Sequence, residues 1–192
     1  FFMVADGMGA HVAGELASKL AVEGVSHLYH KYLELSAPEA LQKAMLETNA
    51  TVHQRGQANA DFRNMGTTAS TLILLPQGAF IAHIGDSRVY HLRNGTVVAR
   101  TRDHSHVEQL LREGSIREDE MQGHPMRNYV ECCIGGEAAL PEMSISRRQP
   151  LADGDVLLVC SDGVWANLKD AEIAAFWKPG NGGCATSLEA LA

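Results

Sequence analysis

The chain has 192 residues, a formal net charge of −7 and an apolar share of 45%, values typical of an ordinary globular protein with a sizeable core. Its acids are interspersed and it has no basic run, which argues against nucleic acid or an anionic membrane as the main partner. No apolar stretch approaches the roughly 20 residues that span a bilayer, and the four cysteines lack Cys-x-x-Cys spacing, so we expect a cytoplasmic protein without a zinc site.

The first predicted elements are a short strand and two helices. Residues 1–6 form an apolar run, and a loop of small residues, 8–14, follows it. Apolar residues then recur at helical spacing over 15–33. Ser36-Ala37-Pro38-Glu39 combines an N-cap serine, a first-turn proline and a glutamate three residues after the cap, which predicts a second helix over about 36–57.

The middle of the chain is predicted to be rich in strands. Short runs of branched and apolar residues are separated by turn signals, over 67–75, 79–84, 88–92 and 96–101. Asn94-Gly95 is a strong signal for a two-residue hairpin, so we expect these strands to form an antiparallel meander.

The last third of the chain mixes a charged helical segment with returning strands. Residues 105–123 predict an exposed and mobile helical excursion, followed by strands over 143–148 and 156–160 and a helix over 170–177. No linker or repeat divides the chain. We therefore expect one domain over 1–192, with an α+β layered architecture in which sheets form the core and helices cover them.

Two apolar runs end in an Asp-Gly pair, Asp6-Gly7 and Asp162-Gly163. A single pair of this kind is ordinary turn chemistry, but two copies in matching contexts suggest carboxylates that converge on one metal ion. Asp86 and Asp103 stand at similar junctions between an apolar run and a polar loop. Few histidines or cysteines lie nearby in ligand spacing, so oxygen coordination of Mg²⁺ or Mn²⁺ is favoured over zinc.

Six short motifs cover nearly the whole chain: Val4-Ala5-Asp6-Gly7-Met8-Gly9, Met65-Gly66-Thr67-Thr68, His83-Ile84-Gly85-Asp86-Ser87-Arg88, Asp103-His104-Ser105, His124-Pro125-Met126-Arg127-Asn128 and Ser161-Asp162-Gly163-Val164-Trp165. In this order they resemble the metal-dependent protein phosphatases, also called the type 2C serine/threonine phosphatases. Met8 stands where animal and plant members usually carry histidine, so the resemblance is to the bacterial branch.

This resemblance implies a β-sandwich of two antiparallel sheets flanked by helix pairs, with a two-metal centre at one end. By position, Asp6 would bridge two Mn²⁺ or Mg²⁺ ions, the Gly7 carbonyl would bind one of them, and Asp162 would bind the other. Asp103 matches the acid that holds a third, weaker metal. Water activated by the two metals would attack phosphorus in the phosphoserine or phosphothreonine of a protein substrate.

The resemblance also suggests roles for the residues around the metals. Asp86 is assigned mainly to structure, bonding its own turn with Arg88 as a candidate partner, and a direct metal role is the alternative. Residues 66–68 are expected to pack near the site. The excursion over 110–128 matches a variable flap beside the cleft, which suggests a role in substrate choice.

A proton donor would assist the poor serine or threonine leaving group. Met8 cannot donate a proton, so His11, in the loop after Asp6-Gly7, is the candidate donor, and an exposed loop histidine without a role in catalysis is the alternative. His104 and His124 are expected to make structural or flap contacts.

Two other classes of protein compete with the phosphatase hypothesis. Ala10 replaces the usual second glycine and Glu131-Cys132-Cys133 the usual Thr-Arg-Ala, which keeps open a pseudo-phosphatase that binds a partner without catalysis. A haloacid-dehalogenase-like hydrolase would use Asp6 as its nucleophile, but Met8 replaces its second aspartate and the strands are expected to be antiparallel.

Family members carry an acid and a phosphate-binding arginine before the first Asp-Gly pair, and an Asp-Asn pair in a final strand. This sequence has none of these groups. We therefore expect a catalytic domain that is incomplete at both termini. Such a chain should bind metal weakly and show little activity, whereas a longer parent chain should be active with Mn²⁺.

Overall fold

The computed structural model describes residues 1–9, 11–140, 143–146, 149–178 and 184–191. Within these ranges the strands are β1 Phe2–Val4, β2 Gly7–Met8, β3 Gly66–Thr67, β4 Ala69–Leu75, β5 Gly78–Ile84, β6 Arg88–Arg93, β7 Thr96–Arg100, β8 Ser144–Ile145 and β9 Val156–Cys160. The helices are α1 His11–Lys31, α2 Ala37–Ala58, α3 His106–Arg112, α4 Glu118–Met121, α5 Asp162–Trp165, α6 Asp170–Ala175 and α7 Cys184–Leu191, with a 3₁₀ turn at Ala60–Phe62.

The longer strands form two antiparallel sheets. Sheet 1 has the order β1-β4-β5-β8, and sheet 2 has the order β7-β6-β9. A separate two-stranded ladder joins β2 to β3, directly beside the end of β1. The predicted pair of antiparallel sheets is therefore confirmed.

Three apolar clusters show how the layers stack. Ile73 of β4 belongs to the cluster formed with α1 and α2, whereas its neighbour Leu72 belongs to the cluster that holds Val89 of sheet 2. This alternation is the two-residue period of a strand with both faces covered. On the far side, Tyr90 of sheet 2 packs with Ile173 of α6. The layers therefore run helix, sheet, sheet, helix, which confirms the predicted sandwich flanked by helices.

The strand-rich middle of the chain differs from the predicted single meander. Asn94 and Gly95 have φ values of 51° and 72°, and they close the predicted β6–β7 hairpin. At residues 85–87, however, the chain leaves sheet 1 and enters sheet 2, where β6 pairs with β9. Gly85 turns the chain there with a φ of 95°. The four predicted strands are thus divided between the two sheets.

The first helix begins earlier than the sequence predicted. α1 begins at His11, so much of the expected loop over 8–14 is its first turn. The predicted strand over 67–75 is interrupted at Thr68, between β3 and β4. The predicted capping box of α2 is confirmed, because the Glu39 carboxylate accepts a hydrogen bond from the Ser36 backbone N–H at 3.1 Å.

The C-terminal third shows further differences. Of the predicted strand over 143–148, β8 covers Ser144–Ile145, and Arg147 and Arg148 lie outside the described residues. The predicted helix over 170–177 ends at Ala175, and the sequence did not predict α5. Among the described helices, none combines the length and the apolar character needed to cross a membrane.

Candidate metal centre

Asp6 lies at the break between β1 and β2, where two threonines hold its backbone. Its N–H donates to Thr68 Oγ1 at 2.9 Å, and its carbonyl accepts from the Thr68 N–H and the Thr67 hydroxyl, each at 2.9 Å. Thr68 Oγ1 also lies 2.6 Å from Ser87 Oγ, on the turn between the two sheets. The interruption at Thr68 thus orients Asp6, a more specific role than the packing expected for residues 66–68.

Asp162 approaches the same point from sheet 2. It follows β9 and is the first residue of α5. Its carboxyl group lies close enough to that of Asp6 for the two to interact directly. Burial raises the pKa of Asp6, and the neighbouring Asp162 carboxyl group raises it further. The structure therefore brings together the two predicted carboxylates from opposite ends of the chain.

Asp86 adds a third acid to this region. It is 8% exposed, and burial raises its pKa to about 6, assisted by the charges of Asp103, Asp162 and Asp6. A hydrogen bond to its own backbone acts in the opposite direction, as expected for an aspartate that bonds its own turn.

These groups fit a hard divalent cation. The donors at the centre are carboxylate oxygens, and a cation between Asp6 and Asp162 would relieve the repulsion that raises the pKa of Asp6. Across the described ranges, no group of three histidine, cysteine or acidic side chains is arranged to hold a metal ion. The described side chains thus supply a pair of carboxylates rather than a complete coordination shell.

Gly7 follows Asp6 in β2 and is packed closely against α1. A Cβ atom on Gly7 would lie 2.0 Å from the carbonyl oxygen of Gly14, which leaves no room for a side chain. This contact fixes the backbone whose carbonyl is the predicted ligand. The role of that carbonyl as a metal ligand stays a prediction.

Asp103 is engaged by an arginine, which the sequence did not predict. Arg88 donates to both of its carboxylate oxygens, from Nε at 2.8 Å and from NH2 at 2.7 Å. Asp103 is 4% exposed. The candidate partnership of Arg88 with Asp86 is therefore corrected to a bidentate ion pair with Asp103. A third metal at Asp103 stays a prediction, and it would have to share an oxygen with the guanidinium group.

The Arg88 side chain is the centre of a buried polar network. NH1 donates to the Tyr90 hydroxyl at 2.9 Å, and that hydroxyl donates to Asp170 at the start of α6, also at 2.9 Å. Arg100 of β7 donates to the second Asp170 oxygen at 2.9 Å. The sequence signal that could have found Asp170 is an acid in the first turn of a predicted helix.

Trp165 connects this network to the Asp86 turn. Its indole N–H donates to the Asp86 carbonyl at 3.0 Å, and the Arg88 guanidinium carbon lies 3.6 Å from the centroid of its ring. Trp165 belongs to one of the six motifs, but sequence reasoning gave it no role.

A cavity of about 930 Å³ opens beside the acids, with Asp86, Asp103 and Asp162 in its lining. One side is formed by α4 and residues 122–128, and the other by α5 and α6. Basic side chains on its walls include Arg117, Arg127 and Lys169. The predicted position of the segment 110–128 beside a cleft is confirmed, and its role in substrate choice stays a prediction.

The three histidines singled out in the sequence have different outcomes. His11 is the first residue of α1, but its side chain lies outside the described part of the structure, so its proton-donor role stays a prediction. His104 is buried and its Nδ1 accepts from the Gly85 N–H at 3.2 Å, which confirms a structural contact. His124 Nδ1 accepts from the Met126 N–H at 3.1 Å, which confirms a contact within the flap.

Comparisons with known proteins agree with this architecture. A family model described as Protein phosphatase 2C matches residues 1–186. The serine/threonine phosphatase Stp of Listeria innocua is 34% identical over 180 residues, which are 92% of this chain and 71% of that protein. The chain therefore belongs to the protein phosphatase 2C family.

Solved structures of bacterial enzymes show the same fold. Serine/threonine phosphatase Stp1 from Staphylococcus aureus matches with a TM-score of 0.87 at 30% identity, covering 98% of this chain and 74% of that one. The catalytic domain of the serine threonine protein phosphatase PstP, in complex with two manganese ions, matches with a TM-score of 0.77 at 30% identity, covering 98% and 77%. The resemblance to the bacterial branch is confirmed, and the dehalogenase-like alternative has no support.

Proposed function

We propose that this protein is a metal-dependent serine/threonine phosphatase that hydrolyses phosphoserine and phosphothreonine in protein substrates, with residues 1–192 acting as one catalytic domain. The observation that carries the proposal is the close approach of the Asp6 and Asp162 carboxyl groups, with Asp162 in the lining of a large cavity. The phosphatases to which the chain is similar, one of them with two manganese ions, support it.

Asp6 would bridge two Mn²⁺ or Mg²⁺ ions, with the Gly7 carbonyl and Asp162 each holding one of them, and Asp103 would serve a third. When bound, these ions supply neutralisation of the phosphoryl charge and activation of water. Thr67 and Thr68 hold the Asp6 backbone by three hydrogen bonds, so this carboxylate is oriented before any ion arrives.

The leaving serine or threonine oxygen needs a proton, and His11 is our candidate for the group that supplies it. Met8, in β2, has no side-chain proton that it could donate. Arg127 and Lys169 on the cavity walls would attract the phosphorylated segment toward the acids, which would otherwise repel it, whereas Arg117 is paired with Asp119 and Glu120.

We also propose a cytoplasmic location. All four cysteines, Cys132, Cys133, Cys160 and Cys184, are free thiols, as is usual in a reducing compartment.

The direct test compares Mn²⁺-dependent dephosphorylation of a phosphothreonine peptide by a longer, wild-type parent chain and by its Asp162→Asn variant. Removing a charge that holds a metal should lower kcat/KM by about 100-fold or more. The matched control is Asp153→Asn, the same change at an exposed turn residue, which should stay within about twofold of the wild type.

Equal activity of Asp162→Asn and wild type would contradict the metal assignment. A pseudo-phosphatase, the alternative class, would show no Mn²⁺-dependent turnover even in the longer, wild-type parent chain. Mn²⁺ titration of this chain beside a longer parent chain would also test the expectation of weak metal binding, which equal affinities would refute.

A further inference from the structure

We propose that Trp165 is a positioning residue for the metal centre, holding the Asp162 helix and the Asp86 turn in one fixed arrangement. The inference rests on the proposed metal ligands. It states that the metal affinity of the site depends on Trp165, although this side chain binds no metal itself. The indole of Trp165 contacts both the peptide backbone at Asp86 and the guanidinium group of Arg88, which binds Asp103.

The first contact fixes the orientation of α5. This helix has four residues, from Asp162 to Trp165, and a single turn has little stability of its own. The hydrogen bond from the indole N–H to the Asp86 carbonyl, 3.0 Å long, ties the end of that turn to the crossing between the sheets. Asp162 stands at the other end of the same turn, so its position depends on where the indole is held.

The second contact confines the Arg88 guanidinium group. Its carbon lies 3.6 Å from the centroid of the Trp165 ring, a cation–π geometry, and the Arg88 side chain is 8% exposed. Its edges donate to Asp103 and Tyr90. The Trp165 ring thus covers one face of the Arg88 guanidinium group, whose edges are already hydrogen-bonded. Because the guanidinium group cannot shift, its partner Asp103 also stays in place.

Asp6 is held by hydrogen bonds to Thr67 and Thr68, none of which involves Trp165 directly. Loss of the indole would therefore leave Asp6 where it is and release Asp162 relative to it. Since metal sites require their ligands within about 0.5 Å of the productive geometry, such a release should weaken metal binding before it affects the rest of the fold.

The chain offers a matched control in its other tryptophan. Trp177 packs against the same apolar cluster as Trp165, and its ring meets Phe176 edge-on with centroids 6.4 Å apart. Substitution of either tryptophan removes packing from that cluster, but only Trp165 links the cluster to the Asp86 turn through its indole nitrogen.

The experiment measures the Mn²⁺ dissociation constant, from the electron paramagnetic resonance signal of free Mn²⁺, and the metal-free unfolding midpoint. Trp165→Phe keeps an aromatic face and loses the N–H, while Trp165→Leu loses both contacts. We expect Mn²⁺ binding to weaken about 10-fold and up to about 100-fold respectively, the range seen when groups that orient metal ligands are removed. For Trp165→Phe, kcat at saturating Mn²⁺ should return to within a few-fold of the wild type.

Trp177→Phe and Trp177→Leu should lower the unfolding midpoint by a comparable amount and keep the Mn²⁺ dissociation constant within about twofold. Folded Trp165 variants that bind Mn²⁺ as the wild type does would overturn the inference and leave the proposed function intact. If Trp165→Leu does not fold, Trp165→Phe decides the question. Unchanged Mn²⁺ binding in Asp162→Asn would instead overturn the proposed metal ligands, and the inference with them.

Discussion

Among single residues, His83 shows most clearly how burial sets a charge state in this protein. It is 1% exposed on β5, with Nδ1 lying 2.9 Å from Ser70 Oγ and Nε2 2.9 Å from the Arg102 carbonyl. Burial lowers its pKa to about 3, and the charges of His104 and Arg88 act in the same direction. His83 is therefore neutral in the folded protein at physiological pH.

This burial makes stability depend on pH with a definite sign. Below its ordinary pKa of 6.5, His83 takes up a proton in the unfolded chain and not in the folded one, so acid favours unfolding. From pH 7 to about pH 5 this group should remove about 2 kcal/mol from the free energy of unfolding. The loss should continue until the pH reaches the folded pKa.

Urea unfolding of the wild type and His83→Gln, at several pH values, isolates this contribution. Asp6 and Asp86 have raised pKa values and act with the opposite sign, but they are common to both proteins and cancel in the difference. The stability advantage of the wild type should shrink as the pH falls. Two parallel stability curves would contradict the prediction.

At the level of elements, β2 and α1 bring their backbones into close contact near the site. Gly14 lies in the first turns of α1, and a Cβ atom on it would be 2.9 Å from both the carbonyl carbon and the carbonyl oxygen of Gly7. The helix can reach Asp6-Gly7 only because both positions lack a side chain. Sequence reasoning assigned residues 8–14 to a loop because their small size gave no apolar periodicity.

Gly14→Ala should therefore destabilise the protein, although alanine is the better helix former by about 1 kcal/mol. The added methyl group has no space, and overpacking of this kind costs about 1–3 kcal/mol. Gly123→Ala is the control, because a Cβ atom at Gly123 meets nothing within 4 Å. Chemical denaturation should show a lower midpoint for Gly14→Ala alone, and a rise in its midpoint would show that the contact is not tight.

The elements that could be predicted are those whose signal lies in residues adjacent in the sequence. The Asn94-Gly95 hairpin and the α2 capping box depend on neighbouring residues, and both are confirmed. The crossing at residues 85–87 depends on β9 pairing with β6, far along the chain, so no short segment indicates it. The same reason explains why α5, a single turn held by tertiary contacts, was missed.

At the level of the whole molecule, the site joins the two sheets. Asp6 follows β1 of sheet 1, and Asp162 follows β9 of sheet 2. A ligand that binds both would stabilise the native state and not the unfolded chain. The motifs predicted this pair of acids. They did not predict the Arg88–Asp103 ion pair or the contact of Trp165 with the Asp86 turn, because sequence spacing does not show which distant residues meet in the fold.

Mn²⁺ should therefore raise the thermal unfolding midpoint of the wild type. At a free concentration about 100 times the dissociation constant, binding adds about 2.7 kcal/mol. For a chain of this size that corresponds to a rise of about 5–10 °C. Differential scanning calorimetry should detect the rise in the wild type and little or none in Asp162→Asn. An equal rise in both proteins would place the ion elsewhere.

The β6–β9 pairing also has a consequence for biosynthesis. During translation, Asp6 leaves the ribosome long before Asp162. Sheet 2 cannot be completed until β9 has been synthesised and can pair with β6. Nascent chains that end before β9 carry one of the two paired acids and no complete sandwich. An ion bound by both acids could therefore enter only after most of the chain has been synthesised and β9 has paired with β6.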